Sequence, residues 1–431
     1  MRSRVISLLM LMLMLFGVVL AVQLVVGAQG PLAGITIRVI TTANPDTVAF
    51  RDIAAKAFAE QTGATVKVDM FPYADVYSKE VLSFVGQQYD LYWVDQPWLT
   101  KFQKSGYLEP LDSYIKKYDI DMGRFYPNLV DIVTIDGQVY GIPAVAKPVN
   151  YGYRKDIFEA KGLKVPQTWA EVLDVAKKLH DPSKEEQYGF VMRTERGNAI
   201  CWTWMPILRA FGGEIFDKDM KPIFNSKEGI ASVEFMKELY QYSMPGALST
   251  DDVANALASG VGMQTTIMST LWPGLDDPKA SKVVNLLEYA DMPKGPSGIQ
   301  STMTGFAPYA IAASSSPEVK DAVFQLLKFF LQDEIQKKLM YETAWYPAMA
   351  YLYELPNLHR SKKLAGSALT YGEAPPLIPE TEEWFMIAST ALQDVLFLDK
   401  PVKQAMDEAA EQTYQMLEKA GYYKNIKNIG D

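Results

Sequence analysis

Apolar and polar residues alternate over Ile35-Thr36-Ile37-Arg38-Val39-Ile40, the period of a strand with one face on a core. From Asp46 the spacing changes to that of a helix, DTVAFRDIAAKAFAEQTG, which ends at Gly63. A second strand follows at Ala64 to Met70, a helix at Tyr77 to Phe84 and a third strand at Tyr89 to Val94. This β-α-β-α-β order is that of an open α/β sheet, whose ligands bind beyond the carboxyl ends of the strands. Here those ends are the loops around Asn44, around Tyr73, and from Asp95 to Trp98.

Past Pro143 a second series begins, with a strand at Val149 to Tyr153 and a helix from Thr168 to His180. Thr168 and Glu171 have capping-box spacing at its start. Helical spacing returns at Ser226 to Tyr242 and Asp252 to Ala258, and the run Met292 to Gly298 then breaks regular structure. Phe306 to Ala312 reads as a strand, Pro317 to about Leu331 as a helix, and another helix runs into Met340. Two amphipathic helices, Glu380 to Leu398 and Val402 to Ala420, close the chain. At 431 residues, two lobes fit better than one core.

The amino terminus changes the picture. Arg2 and Arg4 precede a long apolar run, and Val26-Gly27-Ala28 offers a small-residue cleavage site, so residues 1–28 read as an export signal. The run is also long enough to span a bilayer, which leaves a retained anchor as the alternative. Cys201 is the only cysteine, so an exported fold must rest on its core rather than on disulfides. The formal charge of −9 repels phosphate backbones and argues against nucleic acid.

Catalytic and cofactor chemistry has little material. Two histidines, His180 and His359, do not furnish a zinc site or a Ser-His-Asp triad, and both read as solvated polar positions. Gly260-Val261-Gly262 lacks the third glycine of a dinucleotide loop, and there is no phosphate-binding GxxxxGK[ST] run. No cofactor is implied. Paired carboxylates among aromatics would suit a secreted glycoside hydrolase, but the chain lacks the repeated strand-helix series of a barrel.

The segment Tyr140 to Glu171, YGIPAVAKPVNYGYRKDIFEAKGLKVPQTWAE, combines a Pro-broken crossing, a Tyr-Arg-Lys-Asp turn and a capped helix start. In that order it resembles the hinge and second-lobe entry of the family 1 extracellular solute-binding proteins, the sugar receptors of ATP-binding-cassette importers. The resemblance implies a two-lobed α/β fold of the periplasmic-binding-protein type (type II), with lobe 1 at 35–143 and 305–345 and lobe 2 at 148–302 and 375–420. It implies hinges near Pro143 to Pro148, Met303 to Gly305 and Trp345 to Pro347. It also implies a non-enzymatic, monomeric receptor that holds a carbohydrate or polyol in the interlobe cleft and hands it to a membrane permease. A sensory role for the closed form would leave the same residues.

Sugars show C–H bonds on one face and hydroxyls at the rim, so aromatic platforms with polar neighbours suit them. On the resemblance, Asp95 and Trp98 follow the third strand where family members place such groups; helix capping by Asp95 and burial of Trp98 are the plain alternatives. Lys147 stands in the crossing where related receptors carry a carboxylate. A cation there could donate to ring oxygens, pair with Asp95 or, with Arg196, meet an anionic solute such as a sugar acid or glycerol phosphate; a solvated hinge lysine is the plain reading. MRTERGNAICWTWMPILRAFGG resembles the second-lobe contact helix, which assigns Arg196, Asn198 and Trp202 to the ligand; Trp204, two residues on, falls on another helical face and reads as core. GMQTTIMSTLWPG resembles a strand followed by a stacking tryptophan, Trp272. Gly305, Trp345 and Trp384 complete the set, with helix packing as the alternative for the two tryptophans.

Overall fold

The computed structural model describes residues 30–183 and 186–424; the export signal read at 1–28 lies outside the described residues. The strands are β1 (Thr36–Thr42), β2 (Thr65–Phe71), β3 (Leu91–Trp93), β4 (Ile142–Arg154), β5 (Gln264–Met268), β6 (Leu287–Ala290) and β7 (Thr302–Ile311), with three two-residue strands besides. The main sheet runs β2-β1-β3-β7-β4-β5, and β6 also pairs with β4. β1 is parallel to β2 and β3, whereas β7 is antiparallel to β3 and to β4.

Two strands make the molecule two-lobed. The first half of β4, Ile142 to Pro148, pairs with β7, and its second half, Val149 to Tyr153, pairs with β5. The sequence pattern gives only Val149 to Tyr153 as strand, because prolines at 143 and 148 interrupt the alternation. The ladder absorbs Pro143 with a register shift between Pro143 and Val145. A third crossing lies alongside, where Ala146 N–H donates to the Tyr346 carbonyl at 2.8 Å and Ala348 N–H to Ala144 at 3.2 Å.

Burial follows the same division. One apolar cluster takes side chains from Ile37 to Ala146 and from Phe306 to Leu369. A second takes Val149 to Met292, Met303, and the helices Thr381–Phe397 and Val402–Ala420. A smaller third cluster, around Trp272, sits under the loops of the second lobe. The helix predicted from Thr168 is Trp169–Leu179, and its capping box is formed, with Thr168 Oγ1 accepting from Glu171 N–H at 3.2 Å. The helix predicted at Tyr77 begins earlier, at Tyr73, directly after β2. The first helix contains a π-helical stretch, Phe50–Ala55, which periodicity did not indicate.

Both histidine expectations need correction. His359 is half-buried, with Nε2 3.1 Å from Asp276 and Nδ1 2.7 Å from Ser361 Oγ. The Asp-His-Ser row resembles a triad, but Ser361 is 1% exposed and bonded to Tyr346 OH, so no substrate reaches it. The row caps and anchors the helix Arg360–Tyr371. His180 packs between Tyr188 and Tyr242 rather than standing in solvent.

Candidate functional site

The carboxyl ends of β1, β2 and β3 bring three loops to the mouth between the lobes. Tyr73, opening the helix after β2, donates its hydroxyl to Asp95 Oδ2 at 2.6 Å. Asp95 also accepts from the Gln96 N–H at 2.9 Å, so it caps its helix and faces the cleft at once. From the second lobe, Asn198 Nδ2 donates to the same Tyr73 oxygen at 3.0 Å. Trp98 reaches the second lobe too: its indole N–H donates to Glu382 Oε1 at 2.7 Å, and its ring stacks on Tyr73. The two lobes therefore meet through Tyr73–Asn198 and Trp98–Glu382.

Burial raises the Asp95 carboxyl to about 6, against the opposing effects of the Tyr73 hydrogen bond and the Lys147 charge. Glu382 is likewise raised, mainly by burial. Glu80, fully buried with neither carboxyl oxygen bonded, is raised well above its ordinary value by burial and by Asp95. Between 3.8 and about 6 the folded protein keeps a proton on Asp95 that the unfolded chain has released. The contribution of Asp95 to stability therefore falls as pH rises through that window. Asp95→Asn is expected to flatten the pH dependence of thermal melting between roughly pH 4 and 6. A variant slope equal to that of the wild type would contradict this placement of Asp95.

Lys147 is not solvated and does not pair with Asp95. Its side chain is 11% exposed, its Nζ lies 3.1 Å from Asp46 Oδ2, and it sits 5.0 Å over the Trp93 ring. Asp46, 2% exposed, is a partner of Lys147 that sequence reasoning missed. Gly305 lies opposite Lys147 in the β4–β7 ladder. A Cβ on it would stand 3.0 Å from Lys147 Cβ and 3.2 Å from the Trp202 ring, so its bareness lets hinge and second lobe approach. Trp202 in turn carries the Arg193 guanidinium 5.9 Å above its ring.

The other candidates stand apart from this group. Arg196 is exposed and donates to Gln393 at 3.1 Å. Asn44 caps the first helix, its N–H donating to Thr47 Oγ1. Trp272 is fully buried in the second lobe, packed on Tyr289 and against Gly152 of β4. Trp345 lies in the first-lobe core against Phe330, and Trp384 in the second-lobe core against Phe385. Trp204 is core as expected, with its N–H on Ser232 Oγ at 2.9 Å. Polar atoms in the group left without hydrogen bonds include Arg193 Nε and Nη2, Gln96 Oε1 and the indole nitrogens of Trp93 and Trp202.

The sequence profile of bacterial extracellular solute-binding proteins matches residues 43–337. The chain belongs to that family. Among solved structures, a solute-binding protein from Agrobacterium radiobacter in complex with ribitol superposes with a TM-score of 0.81. It is 29% identical, and the match covers 90% of this chain and 100% of that one. A mannitol-binding protein from Pseudomonas aeruginosa is 28% identical over 251 residues, 55% of each chain. A probable amino-acid transporter binding protein from Sinorhizobium fredii is 24% identical over 392 residues, 86% of each chain. As a solute-binding protein, the chain has its Tyr73–Asp95–Asn198–Trp202 group at the junction of the two lobes. No helix among the described residues is long and apolar enough to cross a membrane.

Proposed function

We propose that this protein is the exported binding component of an ATP-driven importer for a carbohydrate or polyol, captured between the lobes and passed to a membrane permease. The observation that carries this reading is the mixture of unbonded donors and acceptors around the cleft. The indole nitrogens of Trp93 and Trp202 and the Arg193 fork are donors, and Gln96 Oε1 is an acceptor. A hydroxyl is both donor and acceptor, so a polyol satisfies such a lining, and the aromatic faces of Trp93, Trp98 and Trp202 suit its C–H surface. The ribitol and mannitol bound by the relatives are of this class.

The reading includes export of the mature chain as a monomer without catalytic turnover. Residues 1–28 serve as its signal. Closure follows from contact: a ligand touching Asp95 and Arg193 together prefers the state in which the lobes meet. The anion reading through Lys147 and Arg196 loses its support, since the Lys147 charge is matched by Asp46 and Arg196 lies outside the group.

A thermal-shift screen of residues 29–431 against ribitol, D-mannitol, tagatose, maltose and longer oligosaccharides tests the proposal. A ligand at one hundred times its dissociation constant adds about 2.7 kcal/mol to the native state. A shift with at least one neutral sugar or alditol is expected. No shift across the panel, with turnover of an aryl glycoside, would replace a receptor with a hydrolase.

A further inference from the structure

Arg193 is 3% exposed, yet among the described residues no carboxylate pairs with it and both its Nε and Nη2 lack a hydrogen-bond partner. Those two atoms form the side edge of the guanidinium, where two parallel N–H groups point the same way. Three other arginines close that edge on a carboxylate. Arg38 sets it on Asp90 at 2.9 and 2.8 Å, and Arg154 on Asp156 at 2.8 and 2.6 Å. Even the exposed Arg51 closes it on Asp52 at 2.7 and 3.0 Å. Arg193 alone of these buries the edge and offers it to no protein group.

The surroundings place it at the cleft. Its guanidinium lies over Trp202, which touches hinge Gly305, and Tyr73 of the first lobe is the titratable group that acts on it electrostatically. Its backbone is fixed, the carbonyl accepting from Thr203 Oγ1 at 3.0 Å. Burial lowers its pKa to about 10, the signature of a cation held without compensation. An uncompensated buried charge costs stability, so a site that keeps one gains by binding.

We propose that Arg193 is a ligand-contacting residue of this cleft, its Nε/Nη2 edge gripping two adjacent oxygens at one end of the solute. The two oxygens belong to a carboxylate, as in a sugar acid, or to vicinal hydroxyls, as in an alditol. This rests on the reading of the cleft as a carbohydrate or polyol site and adds the residue that fixes how the solute is oriented.

Calorimetric titration of wild type, Arg193→Lys and Arg193→Gln with D-glucitol, D-gluconate, ribitol and D-ribonate tests it. Arg193→Gln is expected to weaken each wild-type ligand by about ten-fold or more, and Arg193→Lys, which keeps charge but not the fork, by less for acids than for alditols. Unliganded Arg193→Gln is expected to melt no lower than wild type, because an unpaired buried cation has been removed. Gluconate tighter than glucitol, with the preference lost in Arg193→Gln, assigns the oxygens to a carboxylate; equal affinity assigns them to a diol. Unchanged affinity in Arg193→Gln overturns the proposal and leaves the function standing, as does a lowered unliganded melting point in both variants, which marks a structural role. A wild type that binds none of the four overturns the proposal, and overturns the function with it only where the neutral sugars and alditols of the thermal-shift panel also fail to bind.

Discussion

Lys147→Ala is expected to destabilise the unliganded protein by about 3 kcal/mol, a drop of several degrees in melting temperature. The lysine side chain is 11% exposed and its partner carboxylate, Asp46, 3%. Removing the cation leaves a buried carboxylate beside Tyr309, also buried, with only the helix N-terminus to offset its charge. The cost is that of an unpaired ion, larger than the worth of the pair itself. Lys147→Met combined with Asp46→Asn removes both charges and is expected to recover most of the loss, so the two substitutions are strongly non-additive. Equal melting points for Lys147→Ala and wild type would show that the lysine is solvated after all.

Gly305→Val is expected to act mainly on binding. A Cβ at this position stands 3.0 Å from the Lys147 Cβ and carbonyl oxygen and 3.2 Å from the Trp202 ring. Lys147 lies on β4 and Trp202 on the second-lobe helix, so the added methyl groups push apart the surfaces that meet when the lobes meet. Overpacking of this kind costs about 1–3 kcal/mol; the part against Lys147, within the β4–β7 ladder, weighs on every state, and the part against Trp202 weighs on the closed state alone. Titration is expected to show affinity reduced about ten-fold or more, with small-angle scattering showing a larger radius of gyration at saturating ligand. Wild-type affinity in Gly305→Val would mean that closure does not bring Trp202 against the hinge.

Much of the frame was legible because its signals are local. The alternation at Ile37 and Val39, the helical spacing to Gly63 and the Thr168–Glu171 box each depend on neighbours within a few residues. The same holds for the loops after β2 and β3, which is why Tyr73, Asp95 and Trp98 could be placed together at the mouth between the lobes. The missed residues lack such signals. Asp46 sits in the first turn of a helix, where an acidic residue has an ordinary reason to be. Arg193 lies in an irregular stretch with no period to place it. Glu382 meets Trp98 across 284 residues of chain. Trp272, Trp345 and Trp384 show the opposite limit: each lies near a turn or helix start, and spacing did not show that each turns into a core.

Calorimetric titration of residues 29–431 with ribitol and D-mannitol reads out whether one small carbohydrate or polyol binds between the lobes. Saturable binding at one site per chain, weakened by Asp95→Asn and by Gly305→Val, is expected. Heats no greater than dilution for both alditols and for the neutral sugars of the wider panel would contradict it.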